Sequence, residues 1–154
     1  MKKWDNQQAL QIIRNSADSG QVLTHGIRQL VDCFGYVDET AIAPLAKYFL
    51  RSKAEVYGVI QYYSDFRTRA PGRHVLRICQ AESCQATGSR KLTEHICDKT
   101  GITLGQTSKN QRLTLEPVYC LGLCANGPAA ELDGQPLAGL NKTKINALLD
   151  RLQS

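Results

Sequence analysis

A chain of 154 residues with 42% hydrophobic side chains can bury a core, as one ordinary domain or two small ones, which excludes wholesale disorder. Its net charge of +5 is mild, and the basic residues are scattered. The densest group (Arg67, Arg69, Arg73, His74 and Arg77) lacks the long basic stripe or interleaved aromatics of a nucleic-acid surface.

In chain order, the first third reads as helical. Leu10, Ile13 and Ala17 recur at helical spacing over Asn6 to Ala17, and Ser19-Gly20 stops that helix. Leu23, Ile27, Leu30, Val31 and Phe34 mark one face of a second helix that ends at Gly35. Asp38 is a cap for a third helix, with Ile42, Leu45, Ala46, Phe49 and Leu50 expected to be buried; Pro44 moves its start toward Ile42. Ser52 and Glu55 form a capping box for a fourth helix, with Val56, Val59, Ile60 and Tyr63 facing inward. Residues 67–73 then break the pattern with a basic, polar stretch containing Pro71-Gly72. A domain boundary is expected there, between a helical domain over 1–70 and a second domain over 71–154.

The second part alternates strand and helix. His74 to Cys79 alternates apolar and polar residues as a strand does. A helix follows from about Ser89 to Lys99, with Leu92 and Ile96 inward and Gly101 closing it. Leu113 to Val118 is a second strand. Ala129 to Leu132 and Pro136 to Ala138 flank Asp133-Gly134, a strong hairpin signal. Asn141 caps a last helix striped by Ile145, Leu148, Leu149 and Leu152. The strand–helix–strand start predicts a parallel pair with a crossover, and the hairpin adds antiparallel strands. The fold class is therefore α+β: an N-terminal helical bundle followed by a thioredoxin-like α/β domain.

No apolar run approaches the roughly 20 residues needed to span a bilayer. The N-terminal MKKWDNQQALQIIRNS has no apolar stretch after its lysines, unlike a secretory signal. A cytoplasmic protein with no direct membrane insertion and no nucleic-acid partner is expected. Its cysteines should then be reduced, and clustered ones are metal ligands or catalytic groups more often than disulfides. Cys33 and Cys97 stand alone in amphipathic helical patterns and read as small buried hydrophobes.

The other four cysteines form two tight pairs, Cys79 with Cys84 and Cys120 with Cys124, each just past a strand end. Loops at the carboxyl ends of parallel strands gather at one sheet edge. Four thiolates meeting there make a site for soft metal. The gaps of four and three residues lie at the long end of structural zinc spacing and suit the wider [2Fe–2S] cluster better. A [4Fe–4S] cluster usually uses a denser cysteine run, and a Rieske centre needs two histidines, whereas His25, His74 and His95 lie outside both loops. The C-x-x-C of a thiol oxidoreductase is absent. Spacing thus ranks [2Fe–2S] ahead of zinc. Gly88, Gly122 and Gly127 allow close backbone approach, so that N–H groups could point at the sulfurs, or they simply make turns.

The stretches AEVYGVIQYYSDFR, ICQAESCQATG and YCLGLCANGPA, with the cysteine spacing and the helical first third, resemble the thioredoxin-like [2Fe–2S] ferredoxin subunits of NADH dehydrogenases. That family recurs in NAD-dependent formate dehydrogenases and NAD-linked hydrogenases, and the resemblance runs from about Gln21 to the C-terminus. The short chain and its loops look most like the gamma subunits of NAD-dependent molybdenum formate dehydrogenases. Tyr57 and Gln61 depart from the family's common histidine and threonine or serine, and Asn126-Gly127 is a variant of the loop after the last cysteine. The resemblance implies a non-catalytic electron-transfer subunit with a [2Fe–2S] cluster on Cys79, Cys84, Cys120 and Cys124. Its implied partners are an FMN- and NAD-binding flavoprotein subunit with a [4Fe–4S] cluster and a larger molybdenum-containing catalytic subunit. Separately, the linker at 67–73 and the lack of chemistry-bearing residues before it predict that the N-terminal helices dock on the partner subunit. The chain itself has no G-x-G-x-x-G and no nucleophile–base pair. Equivalent subunits of a respiratory NADH:quinone oxidoreductase or a hydrogenase are the alternatives within the family, and a zinc-stapled interaction module is the alternative outside it.

Overall fold

The computed structural model describes residues 2–153. It divides into two compact units, Met1–Ala70 and Pro71–Ser154.

In the first unit, α1 (Asn6–Asp18) is capped by Asp5, whose carboxylate accepts from the N–H groups of Gln7 and Gln8. These are two of the four donors a helix start leaves without partners. α2 (Leu23–Phe34) ends at Gly35 in the left-handed conformation. Asp38 caps a single 3-10 turn over Glu39–Ala41, which leads into α3 (Ile42–Tyr48). The Ser52–Glu55 capping box opens α4 (Lys53–Tyr62), with both reciprocal hydrogen bonds formed. Ile13, Ile27, Leu30, Phe34, Leu45, Val56 and Ile60 form the core. Each such side chain contributes about 1.5–3 kcal/mol through removal from water. Trp4, which the helical periodicity does not reach, packs its ring 4.6 Å from that of Phe34.

Two expected core residues lie elsewhere. Leu50 is 88% exposed, and Tyr63 is 46% exposed. Both follow the last turn of their helices. Leu50 comes after the end of α3 and has a φ of 53°. Tyr63 is the extended C-cap of α4. Beyond a helix end the 3.6-residue period no longer predicts which way a side chain faces.

The second unit is built on a four-stranded sheet in the order β2-β1-β3-β4. β1 (His74–Cys79) lies between β2 (Leu113–Val118), which is parallel to it, and β3 (Ala130–Leu132), which is antiparallel; β4 (Gln135–Leu137) closes the far edge. A parallel neighbour requires a crossover, which runs through the short α5 (Glu82–Ala86) and α6 (Ser89–Thr100). α7 (Lys142–Gln153) starts beneath Asn141, whose side chain accepts from the Lys144 N–H. Leu76, Ile78, Ile96, Leu115, Ile145 and Leu149 pack α6 and α7 onto one face of the sheet. Pro117 and Pro136 stand on the two edge strands, where a missing N–H breaks no ladder. Asp133 and Gly134 both have positive φ, as a two-residue hairpin turn of the primed type requires. The Asp133 carboxylate accepts from the Val75 N–H and lies 2.7 Å from His74 Nδ1.

Among the described residues, no helix is long and apolar enough to cross a membrane.

Candidate metal centre at the sheet edge

The parallel register pairs Cys79 with Val118, so β1 and β2 release their chains side by side. From β1 the chain turns through Gln80 and Ala81 into α5, which carries Cys84. From β2 it passes the exposed Tyr119 to Cys120, then Gly122, then Cys124 at the start of a 3-10 turn. The two loops hold each other. The Gln80 N–H donates to the Val118 carbonyl at 2.8 Å, and the Ser83 hydroxyl to the Cys124 carbonyl at 3.3 Å. A third segment closes over them, with the Cys79 N–H donating to the Ala129 carbonyl at 3.0 Å.

The four cysteines form two unlike pairs. Cys79 and Cys84 are 2% and 1% exposed and pack with Ala129, walled by Ala81, Val118, Leu121 and Leu123. Cys120 and Cys124 are exposed. Their sulfurs lie 3.9 Å apart, close to the separation of about 3.8 Å between two sulfurs on one tetrahedral metal with metal–sulfur bonds of about 2.3 Å. Burial pushes the Cys84 thiol above its ordinary pKa, and the Cys79 thiol adds to this; the Cys120 thiol beside Cys124 pushes that thiol up as well. Cys84 and Cys124 each also feel the charge that Cys79 would carry. A bound cation would relieve this cost at Cys84 and Cys124, since metal binding expels thiol protons.

The backbone is shaped around these sulfurs. Cys120 has a φ of 147°, a region L-residues rarely occupy. Gly122, with a φ of 73°, aims its N–H at Cys120 Sγ at 3.3 Å, the kind of donor that stabilises charge on a ligating sulfur. Gly127 has an ordinary φ, but a Cβ there would sit 2.6 Å from Thr87 Oγ1 and 3.4 Å from Cys84 Sγ. Glycine here lets this loop lie against the other without displacing the Thr87 side chain. Gly88 also has positive φ, with open space where a Cβ would go, and serves as the turn into α6.

Among the described residues, no group of three or more His, Cys, Asp or Glu side chains is placed so as to hold a metal ion. Burial sets Cys79 and Cys84 apart from the exposed Cys120 and Cys124, and two thiols in each group match the two thiolates that a [2Fe–2S] cluster takes on each iron. Cys33 is half-buried in α2 of the helical unit, and Cys97 is half-buried in α6. α5, which carries Cys84, has no counterpart in the periodicity of the sequence, because five residues are too few to display a helical repeat.

The sequence profile of the thioredoxin-like [2Fe-2S] ferredoxin family matches residues 9–153. The chain belongs to this family. Its cofactor is accordingly a [2Fe–2S] cluster, and the thiol-rich, partly apolar edge described above fits that group. Curated relatives include a subunit of the NADH-quinone oxidoreductase of Escherichia coli (strain K12), 34% identical over 117 residues, or 76% of this chain and 70% of that protein. The NADH-quinone oxidoreductase subunit of the same name from Pseudomonas aeruginosa is 32% identical over 116 residues, 75% of this chain and 70% of that protein. Among solved structures, the crystal structure of an NAD+-reducing [NiFe]-hydrogenase in the air-oxidized state superposes with a TM-score of 0.72 at 27% identity. The match covers 85% of this ferredoxin-family chain but only 22% of the hydrogenase chain.

Proposed function

We propose that this chain is an electron-transfer subunit whose [2Fe–2S] cluster is held by Cys79, Cys84, Cys120 and Cys124. The observation that carries the reading is the parallel β1–β2 pair, which delivers both cysteine loops to one sheet edge, hydrogen-bonded to each other. When bound, the cluster takes up and releases one electron at a time. The chain's own residues supply the rest. Ala81, Val118, Leu121 and Leu123 limit water on the buried side, and the Gly122 N–H offsets charge on Cys120. Cys120, Cys124 and Tyr119 form the open side by which a redox partner approaches.

The partner in this reading is an FMN- and NAD-binding flavoprotein subunit with a [4Fe–4S] cluster. Relatives named as NADH-quinone oxidoreductase subunits and a neighbour named as an NAD+-reducing hydrogenase support that class of complex. Within the class, the loops CQAESCQATG and CLGLCANGPA favour an NAD-dependent formate dehydrogenase with a molybdenum-containing catalytic subunit. The respiratory or hydrogenase assignment is the second reading, favoured by the names of the relatives. Purifying the chain with its native complex separates them, because the catalytic subunit that accompanies it identifies the electron donor.

The ligand set is tested by single Cys→Ser substitutions. Change at Cys79, Cys84, Cys120 or Cys124 strips or destabilises the cluster, read as lost visible absorbance and a lost or altered EPR signal. Change at Cys33 or Cys97 leaves the spectrum intact. A spectrum indifferent to the first four would remove them as ligands.

A further inference from the structure

The sheet face opposite α6 and α7 carries a charged row. Arg77 stands at the centre of β1, with Glu116 opposite it on β2 and Glu131 opposite it on β3. Its Nε lies 3.2 Å from Glu116 Oε2, and its Nη1 lies 3.4 Å from Glu131 Oε1. None of the three side chains is more than 23% exposed, so solvent and salt screen them less than they would a surface pair. Leu76 and Ile78 belong to the core under the helices, so Arg77 and Cys79 share the other face. They are two residues apart on one strand, about 6.6 Å along it. The row therefore lies one pleat behind the buried sulfur of Cys79.

We infer that Arg77, Glu116 and Glu131 set the reduction potential of the cluster electrostatically, in addition to bridging three strands. The inference rests on the [2Fe–2S] reading above. Reduction adds one electron, supplied by reduced flavin in a complex or by dithionite in an assay, and so adds one negative charge at the sulfurs. Arg77 attracts that charge, whereas Glu116 and Glu131 repel it. Net charge close to an iron–sulfur centre is one of the determinants of its potential. The three residues are positioning residues and touch no reacting atom. Each substitution by glutamine removes a single charge, so the signs of the effects do not depend on the further partners that Arg77 and Glu116 have.

The test is a spectroelectrochemical titration of the full chain loaded with its cluster, comparing wild type with Glu131→Gln, Glu116→Gln, Arg77→Gln and Arg77→Lys. The midpoint potential is expected to move positive in both glutamine-for-glutamate variants, to move negative in Arg77→Gln, and to stay near wild type in Arg77→Lys. Asp150→Asn, which breaks the Lys99–Asp150 pair between α6 and α7 on the other side of the sheet, removes the same charge as Glu131→Gln and should shift the midpoint much less. A purely structural role predicts lower stability in all of these variants with no opposite-signed shifts, and that result would overturn the inference. If Arg77→Gln does not retain its cluster, the two glutamate variants decide: unmoved or negative-going midpoints contradict the inference. A wild-type chain that holds no iron–sulfur cluster would sink the functional reading itself, whereas wild-type cluster with unmoved variants sinks only this inference.

Discussion

At the scale of single residues, the site depends on places where one side chain more or less changes what two loops can do. Gly127 is the sharpest case. Alanine there would drive a Cβ against Thr87 Oγ1, which already donates to the Cys84 carbonyl at 3.0 Å. Gly127→Ala should cost about 1–3 kcal/mol through overpacking and speed loss of the cluster under chelator challenge. Adding Thr87→Ala should recover part of the loss, because it empties the volume that the new methyl needs. A double variant no better than Gly127→Ala alone would show that the clash with Thr87 is not what destabilises the alanine variant. These constraints are invisible in the sequence, where Gly122 and Gly127 look alike. The structure gives them different tasks: Gly122 adopts a positive φ and points an N–H at sulfur, while Gly127 simply leaves room.

At the scale of elements, the helix ends of the N-terminal unit carry caps that can be tested one at a time. The Ser52 hydroxyl accepts from the Glu55 N–H, and the Glu55 carboxylate accepts from the Ser52 N–H. Ser52→Ala should cost about 1 kcal/mol, measured by chemical denaturation. The hydrogen bond from the Ser52 backbone, then that from its hydroxyl, holds the Glu55 carboxyl below its ordinary pKa. A depressed carboxyl stabilises the fold above its unfolded pKa, and the contribution disappears as pH falls through the folded value. The wild-type chain should therefore lose more stability than Glu55→Gln on acidification from neutral pH to below the usual carboxylate range. Equal losses would contradict the assignment. Most of this architecture is legible in the sequence: the capping box, the strands ending at Cys79 and Val118, the Asp-Gly turn and the Asn141 cap are all local signals. The exposure of Leu50 and Tyr63 is not, because helical periodicity does not say where a helix ends. Nor is the Arg77 row, whose members come together only through the register of three strands.

At the scale of the whole chain, the four proposed ligands lie in one unit, and the other exposes several aromatic and aliphatic side chains. Val22, Leu50, Tyr62 and Tyr63 are exposed on the helical unit, and a groove of about 480 Å³ runs past Leu23, Val59, Tyr62 and Tyr63. An apolar groove edged by exposed tyrosines is a candidate interaction surface. The proposed docking of this unit on the flavoprotein predicts that Leu50→Glu together with Tyr62→Glu weakens co-purification of the complex while the cluster spectrum stays unchanged. Undiminished co-purification would move the docking surface elsewhere.

The proposed function rests on a paired-iron centre at the edge where β1 and β2 end. The most direct measurement is EPR and metal analysis of the anaerobically purified full chain. A red-brown protein is expected, with iron and acid-labile sulfide in equal amounts, EPR-silent as isolated and giving an axial or rhombic signal after one-electron reduction. A colourless chain carrying one zinc ion would contradict this and favour a zinc-stapled interaction module.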